Sequence, residues 1–393
     1  MNMNPFFILF FLLTLFSCSP ETELKPYGKL KELKPLKKIT RTYWPTEKWR
    51  TANPEEKGFK LEPFNKAIEY AFSRQGNEED RKGIRTDSLI IIKDAYLVFE
   101  RYERDYTENS LHLLWSVTKS YTQALIGIAV KEGLLSLDEP AYKYYKPLEK
   151  KHKDITIRHI LNMASGLDAD EGYESGPLTS TVVAMLYTRG RNDMGEFCSN
   201  LPKRGEPGRY VYYSSCDTNI LSAILKSVLK DSYLSFVQEK LFQTIGVKQY
   251  SWEADRSGTL IGSSYLYKTP RDVARFAFLY LNQGRWAENQ ILPENWLTFT
   301  RTISPAYKET PYYKGLSEDN MTSQWYTNTG YPERGIPKAW PDADENMIAA
   351  LGHWGQQIFI FFDRDLIIVR LGDDRDGSFD QNKFLKMILE SLQ

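Results

Sequence analysis

Two pairs of apolar segments near opposite ends of the chain constrain the fold most strongly. The segment SLIIIKDAYLVFERY contains two strand-like runs, residues 88–92 and 96–102, which are hinged at Lys93-Asp94. The segments QIFIFFD and LIIVRLGDD repeat this organisation on either side of Asp363-Arg364-Asp365. Runs of β-branched and aromatic residues that flank turn residues predict two β-hairpins.

An amphipathic helix accompanies each hairpin. LEPFNKAIEYAFSRQ, residues 61–75, places Phe64, Ile68 and Phe72 on one helical face, and FDQNKFLKMILESL closes the chain in the same style. Because the two ends match in type, we expect them to build one antiparallel sheet with helices packed on it. The predicted fold class is therefore α+β.

Helix signals dominate between the two ends, from about residue 134 to residue 340. In TPRDVARFAFLYLNQG, Thr269 is suited to cap a helix that begins at Pro270, and Asp272 completes a capping box. ITIRHILNMASG repeats the pattern with Thr156. We predict a mostly helical region inserted in the sheet domain.

The first residues are typical of an export signal. The apolar run from Pro5 to Phe16 is too short to span a bilayer but suits a signal-peptide core. The sequence that ends at Cys18 resembles a bacterial lipoprotein signal, in which that cysteine carries the lipid; a plain secretory peptide is the alternative. We expect residues 1–18 to be the signal and the protein to be exported to the bacterial cell envelope and lipid-anchored to a membrane.

A tether and the folded domain follow this signal. Residues 19–58 are rich in Lys, Glu, Thr and Pro with little periodicity, which predicts a tether followed by an extended arm. Residues 59–393 are then the folded domain.

Composition narrows the class of partner. Lys+Arg and Asp+Glu both number 51, so no overall field favours nucleic acid, and a small-molecule or peptide substrate fits better. The four histidines are scattered and no HExxH or Walker A motif occurs, so no metal or cofactor is expected.

Two cysteines remain after the predicted signal. Cys198 and Cys216 are compatible with a disulfide in an exported protein or with two buried thiols. We favour the free thiols.

A serine and a lysine three residues apart occur twice, in different contexts. Ser227 and Lys230 fall late in a helical run, where each backbone N–H is already used by the helix. Ser116 lies where the loop SLHLLW turns into the helix VTKSYTQALIGIAVKEG, beside unpaired amides and the positive end of the helix dipole. Ser116 is therefore the candidate nucleophile.

Lys119 lies on the same helical face as Ser116 and within its reach. The helix is apolar on most sides, so we expect a desolvated lysine with a lowered pKa that is able to act as a base. A snorkelling surface lysine is the alternative.

Two further motifs follow in the chain. EPGRYVYYSSCDTNIL places Tyr213, Ser214 and Ser215 after a Pro-Gly turn, and GHWGQ spans residues 352–356 just before the strand IFIFFD. Together with Ser116 and Lys119, these motifs resemble those of the serine β-lactamase-like superfamily. The branch is that of class C β-lactamases, D-aminopeptidases and carboxylesterases, close to the 6-aminohexanoate-dimer hydrolases.

The resemblance implies a serine hydrolase that forms an acyl-enzyme on Ser116 and cleaves an amide or ester. The resemblance implies that Tyr213, rather than its neighbours Tyr210 and Tyr212, acts with Lys119 as general base and acid. Which of Lys119 and Tyr213 holds the proton at rest stays open. Ser215 departs from the asparagine of the β-lactamase pattern, which argues against β-lactam hydrolysis more than against acyl transfer.

The GHWGQ motif supplies the remaining expected site residues. The N–H groups of Ser116 and Gln356 are expected to form the oxyanion hole, and Gly355 to let a substrate approach the backbone closely. His353 is expected to contact a substrate carboxylate or tune the site, with a structural hydrogen-bonding role as the alternative.

Two further hypotheses complete the prediction. The aromatic, turn-rich segment from Tyr312 to Trp340 is expected to roof the pocket, the alternative being a surface excursion. A catalytically silent penicillin-recognising fold that binds cell-wall peptides is the competing function.

Overall fold

The computed structural model of the protein describes residues 30–74, 78–173, 176–309 and 320–392. The predicted signal and Cys18 lie outside these ranges. Within the described ranges, no helix combines the length and apolarity needed to cross a membrane.

A seven-stranded sheet forms the centre of the fold, in the order β1-β3-β2-β12-β11-β10-β9. All neighbouring strands are antiparallel except β1 and β3. The strands are β1 (Arg50–Thr51), β2 (Thr86–Lys93), β3 (Tyr96–Tyr102), β4 (His112–Leu113), β5 (Tyr250–Trp252), β6 (Leu266–Lys268), β7 (Arg285–Trp286), β8 (Asn289–Gln290), β9 (Tyr326–Thr327), β10 (Met347–Gly352), β11 (Gln356–Phe361) and β12 (Leu366–Gly372).

Helices cover both faces of this sheet. They are α1 (Leu61–Ala71), α2 (Thr118–Lys131), α3 (Ile157–Leu161), α4 (Thr181–Tyr187), α5 (Met194–Ser199), α6 (Ser215–Leu229), α7 (Tyr233–Phe236), α8 (Pro270–Leu281), α9 (Trp296–Arg301) and α10 (Gln381–Ser391). The predicted α+β class, with an antiparallel sheet that both chain ends build, is confirmed.

The predicted hairpins form β2–β3 and β11–β12. Asp94 and Ala95, both at positive φ, make the two-residue turn between β2 and β3, a geometry that suits the twist of paired strands. Asp365, also left-handed, leads into β12. Helix α1 ends at Ala71, earlier than predicted, where the Ser73 hydroxyl donates to the Tyr70 carbonyl.

Alternating side chains of the central strands enter two separate cores. Leu89 and Ile91 of β2 pack with α1 and α10, whereas Ile90 and Ile92 face a larger core that includes α2, α6 and α8. Burial of such apolar side chains stabilises the fold by roughly 1.5–3 kcal/mol each. The larger core continues from the sheet into the helices, so α2 is enclosed on nearly all sides.

The chain between residues 134 and 340 contains helices α3–α9 and also strands β5–β9. Thr269 caps α8 by accepting from the Asp272 N–H, as its sequence predicts. Thr156 caps α3 in a capping box whose reciprocal bond comes from His159. The N-terminal arm crosses the outer surface of α8, where Trp44 and Trp49 contact the Phe278 ring.

Candidate active site

Ser116 lies in a 3₁₀ turn, Trp115–Val117, which leads directly into α2. The turn is anchored by the Leu114 N–H, which donates to the Leu266 carbonyl at 2.9 Å. Trp115, the residue before the serine, adopts φ 45°, a left-handed conformation that is costly for a bulky side chain. Ser227, in contrast, lies within α6.

Lys119 occupies the first turn of α2 and is 2% exposed. Its Nζ donates to Ser116 Oγ at 2.9 Å, to Ser215 Oγ at 3.1 Å and to the Ser263 carbonyl at 3.0 Å. Burial lowers the pKa of Lys119 to about 8, against the opposing attraction of Glu171. The predicted desolvation is confirmed, and the snorkelling alternative is wrong because the side chain is enclosed.

Tyr213 lies just before α6, which Ser214 caps by accepting from the Asp217 N–H. The Ser116 hydroxyl interacts with the Tyr213 phenol and partly lowers the pKa of Tyr213, and Lys119 Nζ lies 4.8 Å from the Tyr213 ring centroid. Burial raises the pKa of Tyr213 well above its ordinary value, so the neutral phenol is favoured at neutral pH.

Glu171 joins this group, although the sequence analysis did not identify it. One carboxylate oxygen accepts from the Ser215 N–H at 2.5 Å and the other from Ser215 Oγ at 2.9 Å. Burial of the carboxyl raises the pKa of Glu171 to about 7, with Lys119 as the main opposing influence. Glu171 lies in an irregular loop, so no periodic signal marks it; its only sequence clue is that it closely follows HILNMASGLD.

The GHWGQ motif forms the tight connection between β10 and β11. Gly352 pairs with Gln356, and a Cβ at Gly352 would lie 2.5 Å from the Leu114 carbonyl oxygen, which places this hairpin against the Ser116 turn. The Gln356 side chain donates to the Gly372 carbonyl at 2.7 Å and accepts from the Gly372 N–H. The side chain therefore braces the connection, while its backbone lies beside the nucleophile turn.

Gly355 has a structural requirement that its sequence context did not reveal. Its φ is 93°, and an added Cβ would lie 2.4 Å from Asp374 Oδ2 and 2.6 Å from Arg370 Nη1. These two side chains form a buried ion pair. The space beside this glycine is therefore occupied by the ion pair, which by itself requires a residue without a side chain here.

His353 belongs to an aromatic cluster around Trp115. Its ring stacks on the Tyr173 ring, with 5.4 Å between the ring centroids, and meets the Trp115 ring edge to face, with 5.6 Å between the centroids. Trp115 also contacts Trp354 at 5.1 Å and Tyr265 at 5.7 Å. Trp115, Tyr265 and Trp354 all have positive φ, so three bulky side chains are held here in a backbone conformation that such residues seldom adopt.

Two separate cavities lie near these residues. A small one of about 10 Å³ is lined by side chains of the candidate site and by part of the predicted roof, namely Ser116, Lys119, Ser120, Met163, Tyr213, Met321, Gln324, Trp325, Tyr326 and Leu351. A larger one of about 640 Å³ includes Trp115, Trp354 and Gln356 in its wall. The roof segment thus contributes residues 321–326, while residues 312–319 lie outside the described ranges.

The two cysteines and the possible metal ligands are the remaining features that the sequence brought into question. Cys198 of α5 and Cys216 of α6 form a disulfide, so the expectation of free thiols is wrong; the packing of these helices brings their Cα atoms to 5.3 Å. Within the part of the chain that the structure describes, no group of three or more His, Cys, Asp or Glu side chains is arranged to hold a metal ion.

Comparisons with known proteins identify the family. A family model described as beta-lactamase matches residues 71–386. The 6-aminohexanoate-dimer hydrolase of Paenarthrobacter ureafaciens is 23% identical over 296 residues, which cover 73% of this chain and 72% of the relative.

Solved structures show the same fold. A family VIII carboxylesterase superimposes with a TM-score of 0.61 at 14% identity, over 85% of this chain and 99% of that chain. A class C beta-lactamase mutant superimposes with a TM-score of 0.57 at 17% identity, over 84% of this chain and 97% of that chain. The family match covers most of the folded domain, and the relatives are hydrolases. The chain therefore belongs to the beta-lactamase family and is a serine hydrolase.

Proposed function

We propose that the protein cleaves an ester or amide bond through an acyl-enzyme on Ser116, with Lys119 and Tyr213 as the proton-transfer pair. The observation that carries the proposal is the contact of Lys119 Nζ with Ser116 Oγ at 2.9 Å in a buried site. A lysine whose pKa is about 8 is neutral in a useful fraction of molecules near neutral pH.

The proposed acylation step follows from these protonation states. Neutral Lys119 takes the Ser116 proton while Ser116 Oγ bonds to the carbonyl carbon of the substrate. The N–H groups of Ser116 and Gln356 stabilise the oxyanion. Tyr213, which burial keeps protonated, gives its proton to the leaving oxygen or nitrogen as that bond breaks, and Lys119 returns a proton to Tyr213.

Hydrolysis of the acyl-enzyme completes the cycle. Water adds to the acyl carbon and loses a proton to the same pair, and Ser116 leaves with a proton to regenerate the free hydroxyl. One water is consumed, and a carboxylic acid and an alcohol or amine are released. Ser215, which accepts from Lys119, and His353, in the aromatic cluster, are proposed to tune the site and contact the substrate.

The substrate class is proposed from chemistry and relatives together. The 6-aminohexanoate-dimer hydrolase is named for hydrolysis of a 6-aminohexanoate dimer, and the carboxylesterase for esters. Hydrolysis of either bond type is compatible with the acyl intermediate that we propose on Ser116. We propose linear amides and esters as the first substrates to try.

The experiment uses a fluorophosphonate probe and a p-nitrophenyl ester on the full chain. Wild-type protein should gain the mass of one phosphonyl group and release a burst of p-nitrophenol, whereas Ser116→Ala should do neither. Ser227→Ala is the matched control, because this serine has the same Lys spacing but lies within α6. Turnover by Ser116→Ala at the wild-type rate would falsify the proposal, and a burst-free wild type would favour a silent binding fold.

We also propose export with a lipid anchor at Cys18. The Cys198–Cys216 disulfide supports export, because disulfides persist in oxidising compartments. Metabolic labelling with radioactive palmitate should mark the wild type and leave Cys18→Ser unlabelled. Equal labelling of both proteins would contradict the anchor.

A further inference from the structure

We infer that Glu171 is a positioning residue for Lys119, acting through the Ser215 hydroxyl to set the pH range in which Ser116 is nucleophilic. The inference rests on the proposed function and adds a residue to it. It starts from an unbroken chain of side-chain hydrogen bonds, Ser116–Lys119–Ser215–Glu171, in which bonded partners lie up to 96 residues apart in sequence.

The number of protons that each group can donate determines the direction of each hydrogen bond in this chain. Ser215 has one hydroxyl proton, and it points to Glu171 Oε2 at 2.9 Å, so its lone pair is what accepts from Lys119 at 3.1 Å. The Ser215 N–H also donates to Glu171 Oε1 at 2.5 Å. Both oxygens of Glu171 are therefore accepting, as an ionised carboxylate requires.

Lys119 has as many acceptors as an ammonium has protons. Ser116 Oγ, Ser215 Oγ and the Ser263 carbonyl each accept one of them. A neutral amine has one proton fewer and one lone pair. Because the Ser263 carbonyl can only accept, and Ser215 already donates to Glu171, the lone pair is left to face Ser116. The Ser116 hydroxyl then donates to the amine, which is the arrangement that activates the nucleophile.

The charge of Glu171 opposes this neutral form. Burial alone lowers the pKa of Lys119, and the attraction of Glu171 works in the other direction. Other titratable groups that interact with Glu171 are Asp170, Tyr173, Tyr213 and Asp217. Among the described residues, Glu171 is the one carboxylate joined to Lys119 through a shared hydroxyl, so it is the group best placed to hold the ammonium.

Glu171→Gln tests the inference, because glutamine keeps the shape and removes the charge. The readout is the rate constant of Ser116 phosphonylation by a fluorophosphonate between pH 5 and pH 10, which needs no knowledge of the natural substrate. The acidic limb of this profile is the pH range in which the rate constant rises as Lys119 loses its proton. We expect this limb to move to lower pH by about one unit, since loss of a nearby negative charge favours the neutral amine. Asp170→Asn is the matched control: it removes a neighbouring charge in the same loop but is outside the hydrogen-bond chain, and its limb should stay within a few tenths of a unit of wild type.

A second variant keeps the inference testable if Glu171→Gln does not fold. Ser215→Ala removes one acceptor of the Lys119 ammonium and also the link to Glu171, so its acidic limb should move in the same direction. A merely structural role for Glu171 would lower the fraction of protein that reacts without moving the limb. A limb that coincides with wild type in the folded variants, or moves to higher pH, overturns the inference.

The outcomes separate this inference from the proposed function. If Ser116→Ala still reacts with the probe at the wild-type rate, the proposed function fails. If Ser116→Ala is inert and the limb is unmoved in Glu171→Gln, only the role of Glu171 fails.

Discussion

At the scale of single residues, the hydroxyl of Ser116 has two buried neighbours, Lys119 and Tyr213, for which we propose opposite proton-transfer roles. Burial disfavours charge on each of them, which lowers the pKa of Lys119 and raises that of Tyr213. In the mechanism that we propose, the same desolvation suits Lys119 to act as the base and Tyr213 to act as the acid.

The role of Tyr213 predicts a difference between substrates. Tyr213→Phe should lower kcat/KM by about 10²–10⁴-fold for an anilide, because general acid catalysis of amine departure is lost. The loss should be smaller for a p-nitrophenyl ester, whose leaving group departs without a proton. The measurement is steady-state kinetics on the two substrates.

Tyr212→Phe is the control for that comparison. Tyr212 is the adjacent tyrosine, is 39% exposed, and makes a cation–π contact with Arg204 rather than a contact with Ser116. It should retain near-wild-type rates on both substrates. Equal losses on both substrates for Tyr213→Phe would argue that the phenol supports structure rather than proton transfer.

At the scale of elements, the β10–β11 hairpin depends on the buried Arg370–Asp374 pair beside Gly355. Helix α2 and this hairpin hold the Ser116 turn from two sides, since the 3₁₀ turn runs into α2 and Gly352 lies against the Leu114 carbonyl. The hairpin is therefore in direct contact with the turn that carries Ser116.

Gly355→Ala should destabilise the protein more than a glycine change that has only backbone strain. The added Cβ meets Asp374 and Arg370 and also sits at φ 93°, whereas Gly377 has φ 71° with no atom within 4 Å of an added Cβ. We expect Gly377→Ala to cost about 1 kcal/mol and Gly355→Ala about 2 kcal/mol more in free energy of unfolding, since leaving buried charges displaced is expensive.

Urea unfolding of the two variants checks this expectation. Fluorophosphonate reactivity should fall in Gly355→Ala and remain near wild type in Gly377→Ala. Similar unfolding midpoints for both would mean that the ion pair yields to the extra methyl group without cost.

At the scale of the whole molecule, two buried groups outside the proton-transfer pair affect stability. Asp217 accepts from Ser165 Oγ at 2.6 Å and ties the HILNMASGLD segment to α6, and burial raises its pKa to about 7. Lys268 of β6 lies 3.9 Å from the Phe242 ring centroid, and burial lowers its pKa to about 7. Burial therefore makes the charged form of each side chain cost folding free energy.

The sign of each contribution follows from linkage. For Asp217 the folded pKa is raised, so folding loses stability as the pH rises from about 4, the ordinary value, to about 7. For Lys268 the folded pKa is lowered, so folding regains stability as the pH rises from about 7 to about 10. The combined cost is therefore largest near pH 7.

The double variant Asp217→Asn with Lys268→Met should gain stability over wild type most strongly near pH 7. Each change should contribute up to about 4 kcal/mol there, because each pKa lies about three units from its ordinary value and one unit corresponds to about 1.4 kcal/mol. The Asp217→Asn gain should fade at acidic pH and the Lys268→Met gain near pH 10. Chemical unfolding across this range tests the prediction, and a gain that is flat with pH would contradict it.

Local patterns in the sequence determined much of this protein. The two hairpins, the caps at Thr156 and Thr269, and the position of Ser116 at the start of α2 follow from interactions within a few residues, namely side-chain alternation, helix capping and backbone hydrogen bonding. The burial of Lys119 was predictable for the same reason, since its helix is apolar on most sides.

Only the tertiary structure decided the contacts between distant segments. Glu171 reaches Ser215 across 44 residues from an irregular loop, and Cys198 meets Cys216 because α5 packs against α6. The space beside Gly355 is taken by side chains of Arg370 and Asp374 that no local pattern connects to it. Such pairings depend on how whole elements pack, and packing is set by the shared core rather than by the period or the turn residues of any one segment.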